Sequence, residues 1–400
     1  MLSAVGVTPA TVPVGIGPIG GAGISYQGGP VLNTNRTHLI FWQPSGSGLM
    51  FDPGYIALVE QFLGDVAAAS HATSNEYGIT GEYYDLNGPA AYASTYDGAV
   101  LDTDPLPPNG CTEPALTAAP GWTTCLTDAQ LQAELLHVIS THHLPHGHTN
   151  IFFLVTPDGF GSCTDSSSAS CALGGSDNGY CGYHSATASG IIYAVIPYNA
   201  VPGHCQSTNP RPNGATADPA LSAISHEQAE SITDPLGTGW INSQGEEIAD
   251  VCIANYGRAL GGTGATRWDE TINGHHYWLQ ELFSRFQGAC EPRPQPDSAS
   301  IRGPSRARTG SVLHFTARAS QPGGSIIAYD WSFGDGHRGR GRHVHHAFRR
   351  AGIYLVTLRA TDSSGNWAYA IRRVRVRLGR PEGIRRRPAP AAVSDGPVRR

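Results

Sequence analysis

Ser225-His226-Glu227-Gln228-Ala229-Glu230-Ser231-Ile232-Thr233-Asp234-Pro235 is the stretch of this sequence best equipped to do chemistry. His226 and Glu230 are four residues apart, so on a helix they share one face. Zinc-peptidase helices use this spacing, with two ligands at i and i+4 and the residue after the first acting as general base. Here the second ligand is a carboxylate, and zinc accepts carboxylate oxygen at ~2.0–2.2 Å. The expected set is therefore Zn2+ held by His226 and Glu230, with Glu227 as the catalytic base. Gly245-Glu246-Glu247-Ile248-Ala249-Asp250 lies downstream and offers Glu247 or Asp250 as a third ligand. Asp234, His184 and His204 are candidate outer partners.

The spacing alone does not decide the matter, because a His-acid-x-x-acid match arises by chance about 0.1 times in a chain of this composition. Leu221, Ile224 and Ile232 form an apolar stripe, and His226 and Glu230 point nearly opposite to it. Three readings stand open: a solvated polar face, a buried histidine–carboxylate network and a metal site. Other clusters carry less. Thr141-His142-His143-Leu144-Pro145-His146-Gly147-His148 reads as a helix-to-strand loop rich in imidazole. His275-His276 precedes Tyr277-Trp278-Leu279, which reads as core packing. Gly15-Ile16-Gly17-Pro18-Ile19-Gly20 matches the dinucleotide-binding spacing, but Pro18 stands where the helix must open and the first acidic residue is Asp52. The sequence contains no GxSxG elbow, P-loop or zinc ribbon.

The elements that must position the motif follow from periodicity. Residues 37–42, 151–155 and 191–196 are apolar runs of strand length. Residues 52–69 carry helical spacing at Ile56, Val59, Phe62, Leu63 and Val66. Thr127 and Gln130 form a capping box for a helix running to about Ile139. Asp218 followed by Pro219 marks the start of the helix that carries His226. Strands alternating with helices predict an α/β or α+β N-terminal domain, with a zincin-like architecture as one form of it. Residues 70–126 and 157–190 read as long loops.

Composition sets the wider frame. No apolar run reaches the ~18 residues of a spanning helix, and charged residues are 14% of the chain, too few for charge-driven disorder. The chain contains no Lys. Residues 1–290 hold 5 Arg against 25 acidic residues, and residues 291–400 hold 21 Arg against 7. That break marks a domain boundary. A basic C-terminal third suits an anionic partner (nucleic acid, cell wall or lipid), and a GC-rich genome would also favour Arg over Lys. All eight cysteines fall in the acidic part, none spaced CxxC. An even count in a loop-rich domain predicts disulfides and an oxidising compartment. Sequential pairing, Cys111–Cys125, Cys163–Cys171, Cys181–Cys205 and Cys252–Cys290, closes the shortest loops. Residues 1–24 show neither a positive n-region nor an apolar h-region and read as disordered or a residual export segment.

After the Pro-rich stretch 292–297, a stiff linker, the texture becomes short alternating runs separated by turn residues. Trp331-Ser332-Phe333-Gly334-Asp335-Gly336, His346-Ala347-Phe348, Gly352-Ile353-Tyr354 and Thr361-Asp362 resemble a PKD domain, which implies an all-β, immunoglobulin-like sandwich over 298–378. Trp331 and Phe333 share a strand face and would plug its core, and Gly334-Asp335-Gly336 supplies the turn. Residues 379–400 read as a disordered basic tail.

Residues 25–290 resemble the EXORDIUM / phosphate-induced-protein family. The resemblance rests on Tyr26-Gln27-Gly28-Gly29-Pro30-Val31-Leu32, Leu39-Ile40-Phe41-Trp42, Cys181-Gly182-Tyr183-His184 and Ser225-His226-Glu227 through Asp234-Pro235. It continues through Gly239-Trp240, Glu247-Ile248-Ala249-Asp250-Val251-Cys252 and Tyr277-Trp278-Leu279-Gln280-Glu281-Leu282-Phe283. It implies a secreted, disulfide-bearing protein of the cell-wall type, and it implies no defined reaction. The expectation is a secreted, monomeric two-domain protein without a transmembrane segment. Its partner would be an extracellular or cell-wall polymer or protein, not nucleic acid. Its N-terminal domain carries a candidate metal site, with a zinc-dependent, peptidase-like hydrolase as the catalytic alternative.

Overall fold

The structure is a computed structural model that describes residues 23–114, 121–173, 179–205, 207–294, 298–320, 325–363 and 367–378. The basic tail, the glycine-rich segment at 15–20, nearly all of the N-terminal segment and residues 295–297 of the linker lie outside the described residues.

Five strands form the central sheet of the N-terminal domain: β1 (Asn35–Trp42), β2 (Ser94–Asp102), β3 (Asn150–Val155), β4 (Tyr183–Ala186) and β5 (Ile192–Ile196). Their order is β4-β5-β3-β1-β2, parallel throughout except for β4, which runs antiparallel to β5 at one edge. A parallel sheet must be covered on both faces, and the period-2 alternation supplies two apolar faces. Leu39, Phe41, Phe153, Ala194 and Ile196 pack on one side against α1 (Tyr55–Ala68) and α3 (Asp218–Thr233). Ile40, Trp42, Phe152, Leu154 and Val195 pack on the other against Leu131, Leu135 and Val138 of α2 (Asp128–Thr141). The result is a three-layer α/β domain. The capping box at Thr127 is present, its backbone N–H donating to Gln130 Oε1 over 3.0 Å.

Two loop expectations need correction. Residues 70–126 contain β2, a full edge strand, together with the 3-10 helix Glu76–Glu82. The segment 157–190 contributes Phe160–Cys163, Cys171–Ala172 and Gly179–Tyr180 to a second sheet with Thr124–Thr127, and ends in β4. These strands are short or broken by a bulge, which hides their period: the β1–β2 register shifts between Thr37 and Leu39, opposite Gly98 at φ 105°. Asp218 is the first residue of α3 and not its cap. Its carboxylate accepts hydrogen bonds from the Ala215 N–H (3.0 Å) and the Asn213 amide (2.8 Å). The four disulfides are Cys111–Cys125, Cys163–Cys171, Cys181–Cys205 and Cys252–Cys290.

The C-terminal domain is a sandwich of β6 (Ser298–Arg302), β7 (Arg306–Arg308), β8 (Leu313–Ser320), β9 (Ile326–Ser332), β10 (Arg338–Arg340), β11 (His343–His346), β12 (Gly352–Asp362) and β13 (Trp367–Arg377). One sheet has the order β6-β8-β11 and the other β7-β13-β12-β9-β10. Trp331, Phe333, Phe315 and Phe348 fill the space between them. Gly334 and Gly336 both take positive φ in the turn after Phe333, a conformation that glycine adopts without steric cost. The domain abuts the first through a stack of Tyr369 on Phe286, centroids 3.8 Å apart. Among the described residues no helix is long and apolar enough to cross a membrane.

Candidate metal centre

The helix that carries the motif is not half-solvated, which corrects the polar-face reading. Every residue of α3 except His226 is buried. Several of its polar side chains are instead satisfied by segments distant in sequence. Gln228 accepts from Tyr77 OH (3.0 Å) and donates to Asn35 Oδ1 (3.2 Å), and Ser225 donates to Glu76 Oε1 (3.0 Å). A stripe pattern assumes that water lies opposite the apolar face, and here the segment around Gln280 and the Glu247–Asp250 turn lie there, against His226 and Glu230.

His226, Glu227 and Glu230 project from α3 into a recess of about 410 Å³, lined also by His184 of β4, Glu247, Asp250, Gly182 and the loop Pro235–Gly237. His226 Nε2 lies 3.1 Å from Glu230 Oε1 and 3.3 Å from Asp250 Oδ1. Glu230 Oε1 also accepts the Asp250 backbone N–H (3.1 Å), tying α3 to the Glu247–Asp250 turn. Gln280 sits 3.4 Å from His226 Nδ1 and donates to the Ala249 carbonyl (2.6 Å), backing the imidazole.

Glu247 does not join His226. Its Oε2 lies 3.6 Å from His184 Nε2. His184, expected only as an outer partner, sits inside the cluster, its Nδ1 3.5 Å from Glu227 Oε2 and 3.6 Å from Glu230 Oε2. Its Nε2–H donates to the Asp234 carbonyl at 3.2 Å, and in the protonated ring the Nδ1–H faces the two glutamates. Asp234 is buried, and its Oδ1 accepts the N–H groups of Thr238 (2.6 Å) and Gly239 (2.7 Å), fixing the loop that holds His184. His204 does not line the recess. Gly182 and Gln280 were not anticipated as site residues. A Cβ at Gly182 would fall 2.8 Å from Glu227 Oε1 and 3.1 Å from its Cγ, so glycine lets the chain entering β4 pass this close without displacing the glutamate.

Four carboxylates and two imidazoles thus share one recess, and no arginine lines it. Burial raises Glu227 and pushes Glu247 up to about 11, with the Glu230 charge adding to the latter. Burial also acts on Glu230, but His226 and His184 outweigh it and hold that carboxyl well below its usual range. Both imidazoles are desolvated, which lowers their pKa, yet the surrounding carboxylates raise them well above the ordinary value. Without a cation the cluster therefore keeps protons to balance its charge. The remaining histidines act elsewhere. His275 pairs with Asp65 at 2.7 Å, and Tyr277 and Leu279 beyond it are core, while His276 is exposed and stacks on Trp268.

The family model for the PKD domain matches residues 293–376. Solved structures similar to that part include the PKD1 domain of Vibrio anguillarum Epp, at 23% identity over 20% of this chain and 94% of that one, with a TM-score of 0.19. The PKD1 domain of the Vibrio cholerae metalloprotease PrtV is similar at 25% identity over 20% and 96%, TM-score 0.18. The PKD domain of an M14-like peptidase from Thermoplasmatales archaeon SCGC AB-540-F20 is similar at 20% identity over 20% and 91%, TM-score 0.18. By the family-model match, residues 293–376 are a PKD domain, an all-β module that follows the disulfide-bearing part of the chain.

Proposed function

We propose that the N-terminal domain is an extracellular metal-dependent hydrolase of extended polypeptide, with the PKD domain as its spacer or binding module. The observation that carries this reading is the placement of His226 Nε2 at 3.1 Å from Glu230 and 3.3 Å from Asp250, across 20 residues of sequence, in an open recess. Donors bound to one tetrahedral ion at ~2.0–2.2 Å stand about 3.3–3.6 Å apart, so each of these two pairs is already near the separation that coordination demands, and His226, Glu227 and Glu230 offer ligand atoms within 4.8 Å of one another. The surplus of buried carboxylate, with no arginine to offset it, also suits a divalent cation. Zn2+ accepts this nitrogen–oxygen set.

A bound divalent cation would supply Lewis acidity at the substrate carbonyl. The protein supplies the rest. Among the described residues Glu227 Oε2 has as its one close polar neighbour the His184 Nδ1 at 3.5 Å, and burial has raised this carboxyl, so it is suited to take a proton from water and pass it to the leaving amine. His184 orients Glu227 and Glu230 and is itself held by the Asp234 carbonyl. Edge strand β4 pairs on one side only, with β5, and its residues line the recess. An extended peptide can add to such an edge. The four disulfides and the resemblance of residues 25–290 to the EXORDIUM family support export.

Glu227→Gln tests the reading. The variant should keep its metal and lose at least about 100-fold in hydrolysis of an unfolded protein substrate, the usual contribution of a general base. Retained metal with no hydrolysis in either protein would favour a non-catalytic binding protein.

A further inference from the structure

We infer that the outer face of the five-stranded PKD sheet is a docking surface for a linear phosphate-bearing polymer outside the cell. The strand register supports this. Val374 and Val376 of β13 are buried in the sandwich core, so Arg373, Arg375 and Arg377 project from the opposite face. β7 pairs with β13 in parallel, placing Arg306 beside Arg375 and Arg308 beside Arg377. All four of these arginines are exposed. They form a two-by-two grid with rows ~4.8 Å apart and charges ~6.6 Å apart along each strand.

Like charges directly opposite one another cost stability, and among the described residues no carboxylate is within ion-pair distance of these four. Asp330, the one acidic strand residue described on this face, is used elsewhere, between Arg340 and Arg359 at 3.2 Å each. A genome bias toward arginine does not account for the grid, since the same chain places 5 Arg in its first 290 residues and 21 in its last 110. The guanidinium fork matches phosphate oxygens bidentately. Two comparisons choose the occupant. Single-stranded nucleic acid calls for aromatic platforms, and the aromatic of β13 on this face with described contacts, Tyr369, is engaged with Phe286. A membrane calls for a continuous apolar belt, and the exposed large hydrophobics at this end are the separate residues Val312, Ile353 and Leu378.

The test uses the full chain and linear inorganic polyphosphate as probe, with binding followed across a salt series. Wild type should bind. The variant Arg306→Ser/Arg308→Ser/Arg375→Ser/Arg377→Ser should bind at least 10-fold more weakly, and the slope of log affinity against log salt should shrink by about 3, the value for four lost phosphate contacts. The four-lysine variant should fall between them, because it keeps charge and loses the fork. An unchanged melting temperature would show that the sandwich remains folded. Equal affinity and slope in wild type and the serine variant would overturn the inference. So would absence of wild-type binding to polyphosphate, or grid-dependent binding to phosphatidylserine vesicles or single-stranded DNA that exceeds it.

Discussion

Glu230→Gln isolates the charge at the centre of the recess, since glutamine has the same shape and can still accept the Asp250 N–H that Glu230 Oε1 accepts at 3.1 Å. The removed charge faces His226 at 3.1 Å and His184 at 3.6 Å. At an effective dielectric near 20, a unit pair at the shorter distance is worth about 5 kcal/mol, and breaking a buried pair by removing one partner costs roughly 3–5 kcal/mol. The metal-free variant should therefore be less stable than metal-free wild type by about 3 kcal/mol or more at neutral pH. Metal affinity should fall by more than the 10–100-fold seen when only an outer-shell partner is lost. A 100-fold loss removes about 2.7 kcal/mol of metal-linked stability. Urea unfolding of both proteins, with zinc and with EDTA, reads both quantities. Wild type should show a large chelator effect and the variant a small one. Equal chelator effects in the two proteins would refute the assignment of Glu230 as the central ligand.

Glu82 is buried against Ser284 and Phe286, and burial pushes it up to about 8. A carboxyl raised in the folded state stabilises fully below its unfolded value near 4.5, and that contribution is lost as pH rises through about 8. Urea midpoints should therefore fall between pH 5 and pH 8, and Glu82→Gln should flatten this dependence by a few kcal/mol; an identical slope in the variant would refute it. Cys181–Cys205 closes a 24-residue separation three residues before His184. Replacing both with Ser should cost roughly 3 kcal/mol in unfolding experiments and weaken metal binding, while leaving the Trp331 environment of the PKD domain unchanged in its fluorescence.

What the sequence made legible is what local rules govern. Pro219 at the helix start, the apolar run ending in Leu39, Ile40, Phe41 and Trp42, the Thr127–Gln130 box and the turn glycines after Phe333 each act within a few residues, and each is found where expected. The PKD motif was readable for the same reason, because Trp331, Phe333 and the glycine turn after them lie within a few residues of one another. Non-local features were less legible. β2 was missed because an edge strand interrupted by Gly98 carries little apolar signal. The burial of α3 could not be read because its polar residues find partners such as Tyr77, Asn35 and Glu76, which lie 149 to 193 residues away. The same limit applies within the recess. Its imidazoles and carboxylates were all named from the sequence, yet assigning Asp250 to His226 and Glu247 to His184 required the path of the chain between them.

Elemental analysis of the purified, oxidised full-length protein after dialysis tests the central claim most directly. The account predicts one equivalent of a divalent transition metal, falling below a tenth of an equivalent in His226→Ala. A wild-type protein that is folded, keeps its four disulfides and binds no metal even when zinc is supplied in excess would contradict it.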